Sequence, residues 1–304
     1  MLEVAVIGLR WLQYSGAVVL LGAPLFLLYS FRGVEAPRFG WVKPTLVMAA
    51  LVVAVGSLAA LVAQTAVMAG SLSEAVKPAS LSFMVTGTAL GMAMVARAIV
   101  AMVGLVAVIA LKPGRATWLI TVASGLIINA SFAWTGHGAA TEGPGGLLHL
   151  VSDIIHAVAA ALWLGALAAL TIQLLRRAAP DSPAIHRVLH SFAGLGTLAV
   201  VLLVLTGLVN SWFLISPARV GDLGASLYGQ LLITKLVLFT LMLAMAAVNR
   251  FRLTPMLGSV LAKGDDPRQA LQRLRRSVVA ETLVGGLLLA VVAAMGTLAP
   301  PSAM

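Results

Sequence analysis

HLVSDIIHAVAAALW, residues His149–Trp163, places two histidines and an aspartate at the start of an apolar run long enough to cross a bilayer. On an α-helix, residues four apart are separated by about 40° and residues seven apart by about 20° around the axis, so His149, Asp153 and His156 share one face. The rest of the segment is mainly Ala, Leu, Ile and Val. Ionisable side chains at membrane depth are costly and mark a path, a site or a buried pairing. The stretch therefore predicts a membrane-spanning helix with one polar stripe.

The chain around it agrees. Of 304 residues, 61% are hydrophobic and 10% charged, against a charged fraction of about 25% in a soluble domain. That composition excludes a soluble globular protein and predicts an all-α, polytopic membrane bundle. The net charge of +10 does not point to nucleic acid, because Lys and Arg sit in short loops between apolar runs and not on one soluble face. Cysteine is absent. Disulfides, thiolate metal sites and redox pairs are therefore excluded, and metal chemistry would have to use His, Met, Asp or Glu.

Apolar segments of roughly 20 residues or more occur near 4–30, 45–70, 82–111, 117–133, 150–174, 190–215, 228–249 and 277–298. They predict eight transmembrane helices in a single integral-membrane domain over 1–304. The first exceeds a signal-peptide core and lacks a basic leader, so it reads as a retained span. Pro24 within it predicts a kink, and Gly87, Gly91 and Gly104 in the third span predict close helix contact. Fifteen basic residues lie in alternate loops, among them Arg32, Lys43, Lys112, Arg176 and Arg250, against Lys77 and Arg219 in the others. By the positive-inside rule both termini face out of the cytoplasm. Trp41, Trp118 and Tyr29 then fall near the inner boundary and Trp134, Trp212 and Tyr228 near the outer one, as an aromatic belt should; Trp163 lies mid-span and predicts interhelical packing. The hydrophilic segment 250–276 reads as a cytoplasmic connection whose RQALQRLRRS end could lie along the membrane.

In this topology the loop WTGHGAATEGPGGLLH, 134–149, is outside, with His137, Glu142 and His149 as its coordinating groups, and Asp153 and His156 lead about 10 Å inward. Asn129 and Asn210 lie at comparable depth. Imidazole and carboxylate suit several transition metals, and thioether selects cuprous copper, so Met68, Met84 and Met295 near the outer ends are additional candidates, although most methionines in apolar helices are packing. A hydrogen-bonded helix contact is the alternative for the His149, Asp153 and His156 face. His186 and His190 read as cytoplasmic surface residues. Arg10 and Lys235 lie at a depth where either could pair with Asp153. Arg97, near mid-membrane, demands a partner or water, and Glu281 near the inner end falls beside Asn249 and Arg250. These four charges either hold helices in register or sketch a broken polar track from Asp153 and His156 through Arg97 to Glu281. On a cation path Arg97 would repel the ion, so it reads as support for a carboxylate or as a gate.

The motifs WTGHG at 134–138, His149, Asp153, His156 and Trp163 followed by LGAL at 164–167, LTGLVNSW at 205–212, YGQLLITK at 228–235, LAMAAVNR at 243–250 and LRRSVVAETLVGG at 274–286 together resemble the CopD/PcoD copper-resistance inner-membrane family. The resemblance covers about 134–301, and the first 115 residues agree mainly in topology. It implies copper handling across the bacterial inner membrane, read as uptake from periplasm to cytoplasm, with Cu(I) or Cu(II) as the ion and a small periplasmic CopC-like copper carrier as partner. This chain has no fused carrier domain, so a separate carrier would deliver the ion.

Three readings follow. The first is a copper permease in which His137, His149 and neighbouring Met capture the ion and pass it to Asp153 and His156. The second is a haem-binding, cytochrome b type electron-transfer protein, for which His156 is the one histidine well within a span and a bis-His site is poorly supplied. The third is a copper-delivery scaffold without transport. No nucleotide-binding loop, serine nucleophile motif or HExxH is present, so no enzyme is expected. His149 and His156 lie about 10 Å apart along the axis, which favours a stepwise relay over one closed cage.

Overall fold

A bilayer core offers no water to backbone N–H and C=O groups, so a chain this apolar can cross it only as helices that satisfy those groups internally. The computed structural model describes residues 2–30, 40–136, 138–141, 143–176, 182–215, 221 and 223–303, without the side chains at 30, 140, 182–188, 190, 191, 193 and 303. Eleven α-helices are described: α1 (Leu2–Ser30), α2 (Val42–Ala69), α3 (Leu72–Ala75), α4 (Pro78–Gly87), α5 (Ala89–Ala110), α6 (Arg115–Ser131), α7 (Gly146–Leu175), α8 (Ser182–Ile215), α9 (Leu227–Val248), α10 (Thr254–Lys263) and α11 (Arg268–Met295). Among the described residues there is no strand, and eight helices are long and apolar enough to cross a membrane: α1, α2, α5, α6, α7, α8, α9 with α10, and α11. Leu58, Ile99, Val106, Leu208, Val237 and Leu283 are all more than half exposed on the outside of the bundle. That is the inverse of a soluble protein and suits contact with lipid tails.

Helix α1 is the hub. It packs on α2, α6, α7 and α11, while α2 continues to α5, α5 to α6, α7 to α8 and α9 to α11. Polar threads fasten these contacts: Asn129 of α6 donates to the Ala17 carbonyl of α1 at 3.1 Å, Ser57 of α2 to Gln13 of α1 at 3.1 Å, and Trp11 of α1 to the Gly286 carbonyl of α11 at 3.0 Å. At the crossing of α1 and α7, Gly22 and Gly165 lie backbone on backbone, and a Cβ on either would overlap the other helix. A Gly165→Leu substitution must push α1 off α7. Overpacking of this kind costs about 1–3 kcal/mol or more, so the thermal midpoint in detergent is expected to fall, and an unchanged midpoint would show that the crossing is not tight.

Two expectations are corrected. The third span is interrupted: Thr88, in extended conformation, separates α4 from α5 and caps α5 by accepting from the Gly91 N–H at 3.0 Å. Met84 and Gly87 thus belong to the separate short helix α4, while Gly104 does meet Ser124 of α6. RQALQRLRRS does not lie along the membrane but forms the first turns of α11, after a hairpin in which Gly264 takes the left-handed conformation (φ 73°) that ends α10. Trp41, Trp118 and Tyr228 are buried within the bundle, and the Trp41 indole donates to Gln173 of α7 at 2.7 Å. Trp134 and Trp212 are exposed, and Trp163 packs between helices, edge-on to Phe239 of α9 with ring centres 6.0 Å apart. Pro24 lies inside the continuous α1.

Candidate functional site

The polar stripe of α7 meets a matching stripe on α8. Thr206, Asn210 and Phe213 are spaced by four and seven residues, as are His149, Asp153 and His156, and the two helices run in opposite directions. His156 therefore faces Thr206, Asp153 faces Asn210, and His149 faces Phe213. The Thr206 hydroxyl donates to the Leu202 carbonyl at 2.6 Å, so at 2.9 Å from His156 Nδ1 it accepts. The network thus puts the ring proton on Nδ1 and leaves the Nε2 lone pair for a ligand, the arrangement that a second-shell partner imposes on metal-binding histidine. Asn210 Nδ2 lies 3.4 Å from Asp153 Oδ1, and Asn210 Oδ1 is buried with no hydrogen-bond partner among the described residues. An acceptor without a donor, on an amide that faces a carboxylate, is what a cation would satisfy. His149 is 1% exposed, stacks on Phe213 with ring centres 4.9 Å apart, and holds Thr141 Oγ1 at 2.6 Å through Nδ1. Ser152 donates to the Thr206 carbonyl at 3.2 Å and locks the register of the two helices.

The third wall is α9. Lys235 lies within electrostatic reach of both Asp153 and His156, and Tyr228, one turn or more outward, within reach of Asp153. Gly138 closes the outer side, so near that a Cβ there would collide with Asp153. Of the candidate charges Lys235 therefore belongs to the site. Side chains on a helix lean towards its N-terminus, and α7 and α9 both start at this end of the bundle, so Asp153, His156 and Lys235 all lean towards that end.

Arg10, Arg97 and Asn129 belong elsewhere. Arg97, 1% exposed, donates to Ser131 Oγ at 2.8 Å, Gln13 Oε1 at 2.9 Å, the Ser131 carbonyl at 3.1 Å and Thr135 Oγ1 at 3.2 Å, and its guanidinium lies 3.8 Å from the centre of the Phe132 ring. All these partners are neutral, so among the described residues Arg97 supports no carboxylate. It also reaches back to the outer end of α6 and does not continue a track inward. Arg10 donates to the Gly296 carbonyl at 2.5 Å and the Thr135 carbonyl at 2.8 Å, tying α1 to the end of α11 instead of pairing with Asp153. Asn129 is occupied by the carbonyls of Ala17 and Gly125.

Among the methionines, Met68 is 61% exposed, and Met84 packs with Ala60, Leu61 and Met94 under Thr88. Met295 sits with Ile215, Tyr228 and Leu232, next to the site through Tyr228. His137 and Glu142, and the side chains of His186 and His190, lie outside the described residues. Among the described residues no three His, Asp or Glu side chains converge as a metal-holding group. The described histidine side chains, His149 and His156, share one helix, which does not supply the facing pair a bis-His haem needs.

Below His156 the same face of α7 carries Trp163, then an inner cavity of about 860 Å³ that Trp163 shares with Asn249, Arg250 and Glu281. Asn249 begins a π-helical turn between α9 and α10 and donates to Glu281 Oε2 at 2.7 Å. Sequence reasoning missed Thr206, Thr141 and Gly138. Thr206 was legible as the residue four before Asn210 on the same helix face; nothing in the sequence placed Thr141 or Gly138 against α7.

Comparison with known proteins agrees with this architecture. A family model described as Copper resistance protein D-like, N-terminal domain, matches residues 1–147, and one described as Copper resistance protein D matches residues 186–295. The chain is 36% identical over 304 residues to Copper resistance protein D of Pseudomonas syringae pv. tomato, across 97% of this chain and 96% of that one. It is 30% identical over 118 residues to Copper transport protein CutJ of Bacillus subtilis strain 168, across 38% of this chain and 21% of that one. No solved structure matches significantly. With both family models met in order and nearly the whole of both chains aligned, this multi-pass membrane protein belongs to the copper resistance protein D family.

Proposed function

We propose that this protein moves copper inward along the seam of α7, α8 and α9 in the bacterial inner membrane, with both termini on the periplasmic side. The observation that carries this reading is the antiparallel pairing of His149, Asp153 and His156 with Phe213, Asn210 and Thr206, in a member of a copper family. The ion is the substrate. It would be received from a CopC-like carrier at His149, with His137 as a further ligand from the outer loop, and pass to Asp153, Asn210 Oδ1 and His156 Nε2. Lys235 lies within electrostatic reach of Asp153, and a cation arriving at the carboxylate would compete with it. Imidazole and carboxylate accept Cu(II), and Met295 beside Tyr228 offers a thioether for Cu(I).

One observation favours the scaffold reading. Trp163 on Phe239 and the fully buried Met242 close the seam between His156 and the inner cavity, so in this conformation an ion would stop at His156. Copper uptake into proteoliposomes separates the two. Wild-type protein is expected to load copper from outside well above protein-free vesicles, whereas binding at the outer face with no copper in the lumen would leave delivery, not transport, as the function.

A further inference from the structure

The inner end of the bundle holds two buried oxygens without partners. Glu281 is 1% exposed; its Oε2 accepts from Asn249 Nδ2 at 2.7 Å, and its Oε1 has no hydrogen-bond partner among the described residues. Asn249 Oδ1, on the same amide, is also buried and unpaired. An orphaned buried acceptor is costly, and a carboxylate that stays ionised in an apolar setting with only the neutral Asn249 amide and Trp163 indole as donors costs more. When a primary amide donates to one oxygen of a carboxyl group in a planar pair, the two atoms left opposite each other are the amide oxygen and the second carboxyl oxygen. Here those are the two orphans, and one proton between them satisfies both.

We propose that Glu281 and Asn249 form a proton-binding site: a proton on Glu281 Oε1, donated to Asn249 Oδ1, closes a carboxylic acid–amide pair with two hydrogen bonds. The proton comes from water at the inner face and returns there, and no other bond is made or broken. The 860 Å³ cavity supplies the route, because its lining runs from Glu281 to the exposed Arg250 and Phe251. Arg250 is the one other ionisable side chain among the described lining residues, and its guanidinium is bonded to Thr197 of α8. From α7 the cavity receives Trp163 and leucines, from α10 Thr254 and Pro255; α1 meets α11 further out, through Trp11 on Gly286 and Arg10 on Gly296. Arg275 and Arg276, on the inner turns of α11 itself, are exposed. No fixed cation is therefore hydrogen-bonded to the carboxylate among the described residues, which leaves the proton as its counter-charge. A π-helical turn, a device frequent at functional sites, presents Asn249 to it. As the coupling ion the proton rests on the transport reading above; the site itself does not.

The infrared spectrum of the purified protein at neutral pH tests it directly. A protonated carboxyl band that shifts in D2O is expected in wild type and in Asp153→Asn, and its loss in Glu281→Gln. Glu281→Gln places an amide N–H where the acid O–H stood, so both hydrogen bonds survive and its thermal midpoint should match or exceed wild type, while Glu281→Leu should melt earlier. A wild-type spectrum without the band, a band that persists in Glu281→Gln, or a Gln variant as unstable as the Leu variant overturns the site. In proteoliposomes, copper uptake by wild type should move protons and Glu281→Gln should lose that movement; copper flux without it overturns the coupling. If wild type moves no copper at all, the transport reading fails and the infrared band still decides the proton site.

Discussion

Cells producing the His156→Ala variant are expected to accumulate copper at least about tenfold more slowly than wild type, and Thr206→Val to lose about 10–100-fold in copper affinity although Thr206 need not touch the ion. Both effects run through the imidazole and the hydroxyl that orients it. Thr206 donates to the Leu202 carbonyl and accepts from His156 Nδ1–H, which fixes both the tautomer and the ring plane. Valine keeps the shape and removes the acceptor, so the ring can turn or put its proton on Nε2. Thr206→Ser restores the hydroxyl and should restore most of the affinity. Copper titration of purified protein, paired with accumulation in cells, reads both effects. Equal affinity in wild type and Thr206→Val would mean that His156 Nε2 is not a ligand, and equal accumulation in wild type and His156→Ala would remove His156 from the path.

Arg97→Met should destabilise the bundle by roughly 3 kcal/mol or more without changing copper affinity. Arg97 makes four hydrogen bonds to neutral oxygens and stacks on Phe132, joining α5 to α1 and to the outer end of α6. Methionine fills much of the volume and supplies no donor. The Ser131 carbonyl then loses its guanidinium donor, while Gln13 still has Ser57, and Ser131 and Thr135 still donate to the carbonyls of Ile128 and Phe132. Unmet buried acceptors cost about 1–3 kcal/mol each, and bonds to a charged donor contribute about 1.5–3. Arg97→Lys should recover only part of the loss, because an ammonium has neither the planar fork nor the stacking face. Thermal unfolding in detergent gives the ranking, wild type above Lys above Met. A stable Arg97→Met variant with impaired copper uptake would instead restore the gate reading that its neutral partners argue against.

How much was legible in the sequence divides along one line. Apolar run length sets how many times a chain can cross a bilayer, since every backbone group must be paired inside the segment; eight runs became eight spans. Four- and seven-residue spacing puts side chains on one face, so His149, Asp153 and His156 were legible as a stripe. Caps were less visible. Thr88 broke the third apolar run because its hydroxyl serves the Gly91 N–H, a local competition that hydropathy does not register. The basic start of α11 looked like a surface segment because its charges mask helical continuity with the apolar run that follows.

Periodicity along one helix says which residues share a face, and nothing about which face of which helix they meet. Only the tertiary structure decided that the α7 stripe opposes Thr206, Asn210 and Phe213, that Lys235 joins it while Arg10 and Arg97 do not, and that Met68 and Met84 lie elsewhere. Depth was inferable from residue counting, yet residues at one depth can stand on opposite sides of the hub helix α1. The same physics explains Glu281. Its place on the last span beside Asn249 was readable, whereas the two unpaired oxygens that invite a proton exist only because α9 and α11 pack side by side and bring Asn249 to it.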